Sequence, residues 1–410
     1  MKQIPYNVLA HSTVENTQMD MLDILNQATD TTGVDTASFI LDLITWVTGK
    51  EKREHIFCNN RWILKPSILV DTMISRLLSF DFREDEKLIT KNGKKIWQKY
   101  WVNDSIDGVV FYYNPMRYYL SIFVAHNQLA GKSQAEITRL IQDIFECYFL
   151  FPQQYVDRLD RYINLQRIDF KRDYRYRDEQ ELVLIKEIIN IAPSSIVGKH
   201  YIKVDEKDEH EEWDNFDDYV YMQKYKTEAN DNAEFVIYDK QLEQESKFRE
   251  GKITQEELDY YEKVIRVEIR IKDKKLNNLK SDLGISKELD NYKNEQVADE
   301  FFSNYAELAL FREPFYCIKE AKEIINKSGE KPKTKEKLVE LITNINEYGY
   351  TYTQEHYEYS SNTFRNHIKK LRGLGINPLT FSDSWKDKQG NIHKTTYTQI
   401  PNFIQKQNCL

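Results

Sequence analysis

Four ionisable side chains on short strand-like stretches give this 410-residue chain the means to do chemistry. They are Asp169 in INLQRIDFK, Tyr238 and Lys240 in EFVIYDK, and Glu268 in KVIRVEIRIK. Each stretch alternates charged and apolar residues. In a strand, successive side chains point to opposite faces. Arg266, Glu268 and Arg270 therefore share one face, with Val267, Ile269 and Ile271 on the other. Arg167 and Asp169 likewise oppose Ile168 and Phe170. Val236, Tyr238 and Lys240 share a face, with Phe235, Ile237 and Asp239 behind. Two carboxylates can hold a hard divalent cation, Mg²⁺ or Mn²⁺, through oxygen ligands. A tyrosine beside that cation can attack phosphorus, and a nearby lysine adds charge stabilisation. This is the equipment of a tyrosine nuclease that stays covalently joined to DNA. The same alternation is also that of a solvated, salt-bridged sheet face. With 27 tyrosines in the chain, spacing leaves both readings open.

The order RID, IYDKQLE, IRVEIR resembles that of the filamentous-phage gene II replication proteins. More loosely, it resembles the rolling-circle plasmid initiators of the transfer-protein type. The matching positions are Arg167, Ile168 and Asp169; Tyr238, Lys240 and Glu243; and Arg266, Glu268 and Arg270. The resemblance implies that Tyr238 is the nicking nucleophile and that Asp169 and Glu268 are metal ligands. Glu243 is a candidate third ligand or acid/base group, or a solvated helix charge. Arg167, Arg266 and Arg270 are candidate phosphate contacts. The implied activity is that of a rolling-circle replication initiator. It would nick one strand of a double-stranded origin, hold a 5′-phosphotyrosine, leave a 3′ hydroxyl to prime synthesis, and rejoin the strand. Single-stranded DNA, a host helicase and a single-strand binding protein are the implied partners. A relaxase or transposase of the same chemistry, or a non-enzymatic origin- or operator-binding protein, are the alternatives.

Net charge is −8, unfavourable for a protein that binds phosphates, but the charge is unevenly distributed. From Arg365 to the end there are eight Lys or Arg against two acidic residues. Arg365, Lys369, Lys370 and Arg372 mark this stretch as a candidate DNA contact. Cys58, Cys147, Cys317 and Cys409 are far apart and no CxxC exists, which argues against a disulfide framework or zinc site and for a reducing cytoplasm. The histidines form no HxH or HExxH. No apolar run is long enough to span a membrane.

The pattern predicts an α+β protein: an antiparallel-sheet nicking domain packed with helices, then a mainly helical C-terminal DNA-binding region. The expected boundaries are an extension over 1–33 with one short helix at 17–28, a catalytic domain over 34–280, and a C-terminal domain over 281–410. A helix-turn-helix-like unit is expected near 352–381, with Ser361 as N-cap. Two strands are expected around Asn114-Pro115 and a hairpin at YVYMQKYK/EFVIYDK. Capped helices are expected from Ser133 and Thr254, and a hairpin turn at Gln389-Gly390. An acidic block near 205–218 reads as a solvated loop. The aromatics Phe111, Tyr112, Tyr113, Tyr118, Tyr119 and Phe123 read as sheet core or as a base-stacking surface. Arg172, Arg175 and Arg177 with Tyr174 and Tyr176 read as a DNA-backbone contact or a solvated loop.

Overall fold

The computed structural model describes residues 29–49, 55–58, 61–64, 67–91, 94–193, 195–196, 201–205, 222–227, 233–249, 251 and 253–402. The helix expected at 17–28, and all of the acidic block after Asp205, lie outside them. The chain is α+β. Its strands in order are β1 (Thr29–Asp42), β2 (His55–Cys58), β3 (Arg61–Leu64), β4 (Arg83–Lys91), β5 (Lys94–Ile106), β6 (Val109–Asn114), β7 (Tyr119–Ala125) and β8 (Ile163–Arg175). There follow β9 (Ser195–Ile196), β10 (Tyr201–Asp205), β11 (Met222–Thr227), β12 (Ala233–Asp239) and β13 (Val264–Lys272). Among the described residues, eleven strands form one sheet in the order β4-β5-β6-β7-β1-β8-β13-β12-β11-β10-β9. Their pairings are antiparallel. β1 begins at Thr29, ahead of the boundary expected at 34, and lies in the middle of the sheet rather than at its margin.

Alternation gives the sheet one continuous apolar face. Phe111, Ile122, Ala37, Ile168, Phe170, Val267, Ile269, Phe235 and Ile237 are all at most 1% exposed. At one end an aromatic cluster covers this face. Trp46 meets Phe145, Phe151 and Tyr155 edge-on at 5.3–5.9 Å, and its indole N–H donates to the Tyr155 carbonyl at 2.9 Å. Nearer the middle, helix Glu295–Leu310 lies on it, with Phe301 stacked on Phe170 at 5.3 Å. Helix Gln134–Asp143 starts with the expected capping box, Ser133 and Glu136 each bonding the other's backbone N–H. Its sequence continues as a π-helical turn, Ile144–Tyr148.

The strands around Asn114-Pro115 are β6 and β7, and β11 pairs with β12 as the expected hairpin. Sequence reading missed the long β4–β5 ribbon, although Asn92-Gly93 between two alternating runs is a strong hairpin signal. The C-terminal region has helices Ile318–Lys327, Pro332–Tyr348, Tyr350–Glu355 and Ser361–Gly373. Leu338, Leu341, Ile342, Ile345, Phe364 and Leu371 are fully buried within it. The N-cap of the last helix is Ser360, one residue before the expected Ser361: its Oγ accepts from the Thr363 N–H. β14 (Phe315–Tyr316) pairs with β17 (Gln399–Ile400), and β15 (Ser384–Lys386) with β16 (Ile392–Lys394), around the expected turn at Gly390. This unit is fastened to the helix Glu179–Ile191: Gln180 Nε2 donates to Thr395 at 2.6 Å and the Tyr397 hydroxyl donates to Asp178 at 2.8 Å.

Trp46 fills the core where three helical segments meet the sheet. Trp46→Ala is expected to cost about 3–5 kcal/mol of stability, read from the urea midpoint at unchanged denaturant slope. A loss under about 1 kcal/mol would show that the cluster closes around the gap.

Candidate active site

The three strands expected to carry the chemistry are neighbours: β12 pairs with β13, and β13 with β8. Register then decides which side chains meet. Tyr238 lies opposite Arg266, Val236 opposite Glu268, and Arg270 opposite Asp169. Tyr238, Glu268 and Asp169 therefore step diagonally across three strands on the face away from the apolar core. Diagonal neighbours in a sheet are within reach of long side chains. The Tyr238 hydroxyl donates to Glu268 Oε1 at 2.6 Å, and both residues are buried.

Charged pairs surround this contact. Arg270 donates to the other oxygen of Glu268, Oε2, at 2.8 Å. Arg167 grips Asp169 with two bonds, 2.6 and 2.5 Å. Arg266 grips Asp173 the same way at 2.6 and 2.7 Å. An irregularity in β1 between Val34 and Thr36 brings Asp35 into the set, 3.0 Å from Lys171 Nζ and 3.5 Å from Arg266. Lys240 is the first residue of helix Lys240–Arg249. Its ammonium is 5.7 Å from the Tyr238 ring centre and 5.3 Å from that of Tyr261. It pairs with Glu243 at 2.6 Å. Glu243 also pairs with Lys247 at 2.7 Å. Behind the strand, Asp239 accepts from the Leu242 N–H at 3.1 Å and pairs with Lys186 at 2.5 Å, which fixes where the helix starts.

These surroundings set the protonation of the groups. Burial and the negative charge of Glu268 push the Tyr238 phenol well above its ordinary value, so it is protonated. Burial pushes Asp169 up against the pull of Arg167. Burial and Arg266 push the Lys240 ammonium down, with Glu243 opposing them. Burial would raise Glu243, but Lys240 and Lys247 outweigh it and hold it low.

Among the described residues, no group of three or more His, Cys, Asp or Glu side chains is placed to hold a metal ion. The two carboxylates on the diagonal, Asp169 and Glu268, each face an arginine. Glu243, engaged by two lysines, is a charge-pairing residue of the helix in this arrangement.

Other sequence expectations resolve differently. Arg172, Tyr174 and Tyr176 are buried on the apolar side: Arg172 pairs with Asp299 and lies 4.4 Å from the Phe302 ring centre. They belong to the core and are not a DNA contact. Of the basic residues on helix Ser361–Gly373, Lys370 is paired with Glu330 at 2.8 Å, and Arg372 with Glu313 at 2.9 Å and Glu307 at 3.3 Å. Those two brace the C-terminal unit. Arg365 and Lys369 are exposed, on the same side of the helix as Asn362 and Asn366.

No protein-family model and no curated protein matches the sequence. Among solved structures, a rolling-circle replication initiator protein from Geobacillus stearothermophilus aligns at TM-score 0.27 and 11% identity, over 69% of this chain and 86% of that one.

Asp35 yields a pH test. Burial alone would raise its pKa, but Arg266 and Lys171 together hold it below the ordinary value of 3.8. A carboxylate depressed by folding stabilises above its unfolded pKa, and that contribution is lost as pH falls through the folded value. Wild type is therefore expected to be more stable than Asp35→Asn by a constant margin above about pH 5, narrowing below about pH 4. A margin independent of pH would mean the charge of Asp35 contributes nothing.

The C-terminal basic residues separate by assay. Arg372→Ala is expected to lower the melting temperature. Arg365→Ala with Lys369→Ala is expected to leave it unchanged, because neither side chain is packed into the unit.

Proposed function

We propose that the protein nicks and rejoins one strand of DNA through Tyr238, as a rolling-circle replication initiator does. The observation that carries this reading is the buried 2.6 Å hydrogen bond from the Tyr238 hydroxyl to Glu268. A phenol raised well above its usual pKa is a poor nucleophile until its proton leaves. Glu268 is already in place to take that proton at the moment of attack. Tyr238 Oη would bond to phosphorus as the P–O3′ bond breaks, and the departing 3′ oxygen would take up a proton from solvent, giving a 5′-phosphotyrosine and a 3′ hydroxyl. The ester count is unchanged, so the 3′ hydroxyl can reverse the step.

Lys240 and Arg266 lie close to the Tyr238 side and supply positive charge where the phosphorane becomes more negative. Arg270 and Arg167 neutralise Glu268 and Asp169 before DNA arrives. Asp169 and Glu268, an all-oxygen pair, would hold a magnesium or manganese ion by exchanging those arginines, and such an ion supplies polarisation of the scissile phosphate. The released Arg167 and Arg270 would then face the incoming phosphates. Arg365 and Lys369 would contact the duplex. The order of the RID, YDK and RVEIR segments, matching that of the gene II replication proteins, supports the assignment of roles. On this reading a host helicase and a single-strand binding protein act on the nicked product.

A second reading, a DNA-binding protein without catalysis, is favoured by one observation: Tyr238 is only 5% exposed. A nicking assay separates the two. Supercoiled DNA carrying the protein's own origin is incubated with wild type, Tyr238→Phe and Glu268→Gln, each with Mg²⁺, with Mn²⁺ and with chelator. Wild type is expected to give open circles and a covalent protein–DNA adduct. Tyr238→Phe is expected to give neither, and Glu268→Gln to nick about 10²–10⁴-fold more slowly. Nicking that persists in Tyr238→Phe assigns the nucleophile to another residue. Sequence-selective binding without nicking by wild type establishes the second reading. The chelator arm decides whether Asp169 and Glu268 act with a metal.

A further inference from the structure

A row of side chains crosses the polar face of the sheet and ends at Tyr238. Register splits the aromatic residues of β6 and β7 into two sets. Phe111 and Tyr113 point to the apolar face and are at most 3% exposed. Tyr112 and Phe123 point to the other face and are half-buried. They meet edge-on with ring centres 5.1 Å apart. On β5, Tyr100 continues the row, 5.8 Å from Tyr112. In the other direction the Arg167 guanidinium lies over Phe123 at 5.7 Å. Arg167 then grips Asp169, which is diagonal to Glu268, and Glu268 holds Tyr238. Between Phe123 and Arg167 the register places Ser38, whose buried Oγ has no hydrogen-bond partner among the described residues.

We propose that Tyr100, Tyr112, Phe123 and Arg167 form a track for single-stranded DNA that leads an unpaired strand to Tyr238. The chemistry of the row fits that ligand. Bases stack on aromatic faces without regard to sequence, and guanidinium groups take both phosphates and base planes. From Tyr112 to Tyr238 the row spans five strand spacings, about 24 Å, the length of several nucleotides. Tyr112, Phe123 and Arg167 are half-buried, and the stretch from Asp169 to Tyr238, at most 5% exposed, takes a strand once that face opens. A helix or a second copy of this chain would want an aliphatic groove. This face instead offers rings ending in a charged lattice. The track also gives the nicking reading something it requires, a place for the strand that is unpaired beside the cleavage point, and it rests on that reading for its direction toward Tyr238.

The test uses the full chain carrying Tyr238→Phe, so that binding is read without cleavage. A fluorescein-labelled 20-nucleotide oligothymidine is titrated by anisotropy. Tyr112→Leu and Phe123→Leu are each expected to weaken binding about tenfold, the range of one lost base stack. Tyr112→Phe and Phe123→Tyr are expected to bind as the parent, and all four to bind a 20-base-pair duplex within about twofold of it. Ultraviolet crosslinking of an iodouridine oligonucleotide to the parent protein is expected to mark the peptides bearing Tyr112 or Phe123, whatever the stability of the leucine variants. The track is overturned if crosslinks map only elsewhere, if folded leucine variants bind oligothymidine unchanged, or if duplex affinity falls equally. Absence of any oligothymidine binding by the parent overturns it as well. Nicking by wild type is a separate measurement, so the track can fail while the nuclease reading stands, and the reverse.

Discussion

The pairing register of β8, β13 and β12 is the constraint on which the site depends. A slip of one residue between β12 and β13 would turn Tyr238 toward Phe170 and Ile269 and leave Glu268 without it. The apolar face prevents that slip, because Phe235 and Ile237 of β12, at most 1% exposed against Ile269 and Val267, would both be driven to the polar side. Burying these side chains stabilises by roughly 1.5–3 kcal/mol each, far more than any single polar contact returns. The diagonal is thus positioned by residues that are not part of it. Their energy fixes the register, and the register fixes the diagonal Tyr238–Glu268–Asp169.

The charge lattice has a different role. Buried ion pairs contribute little net stability, because desolvation offsets their attraction. Losing one partner is nevertheless costly. Arg266 holds Asp173 and approaches Asp35, while Lys171 holds Asp35 from the other side. Removing any one leaves a buried charge unmatched, so the groups hold one another in place. On the nuclease reading the lattice is also the ground state of a switch in partners. Arginines that neutralise carboxylates in the free protein become available to phosphates once the carboxylates are engaged elsewhere. Such an exchange requires the face to open, because Tyr238, Asp169 and Glu268 are all at most 5% exposed.

Much of this was legible in the sequence, and the misses have identifiable causes. Period-two alternation gave the faces of β8, β12 and β13, and capping chemistry gave the helices after Ser133 and Thr254. The diagonal contact was out of reach because pairing partners 30 to 100 residues apart leave no local trace. Tyr238 and Glu268 lie 30 residues apart, and Arg266 and Asp173 lie 93 apart. The misreading of Arg172, Tyr174 and Tyr176 was avoidable. They have the parity of Ile168 and Phe170, and continuing the alternation of β8 assigns them to the core. The arginine of that set is tolerated there because Asp299 neutralises it and Phe302 lies against its guanidinium. The β4–β5 ribbon was missed because its charged composition outweighed the Asn92-Gly93 turn signal.

The C-terminal unit shows why a count of basic residues is a weak guide to a nucleic-acid surface. Lys370 and Arg372 have the right charge and the right helix, yet both face acidic partners within the unit. Arg365 and Lys369 are exposed on the side away from Phe364, Ile368 and Leu371. A helix of 3.6 residues per turn separates these roles by angle rather than by sequence position. The same unit is fastened to the helix Glu179–Ile191 through Gln180 and Asp178. That helix also holds Asp239, the last residue of β12, through Lys186. One helix therefore contacts both the C-terminal unit and the turn that places Lys240 above Tyr238. On the proposed reading, this contact would give a duplex held at Arg365 and Lys369 a fixed position relative to the polar face.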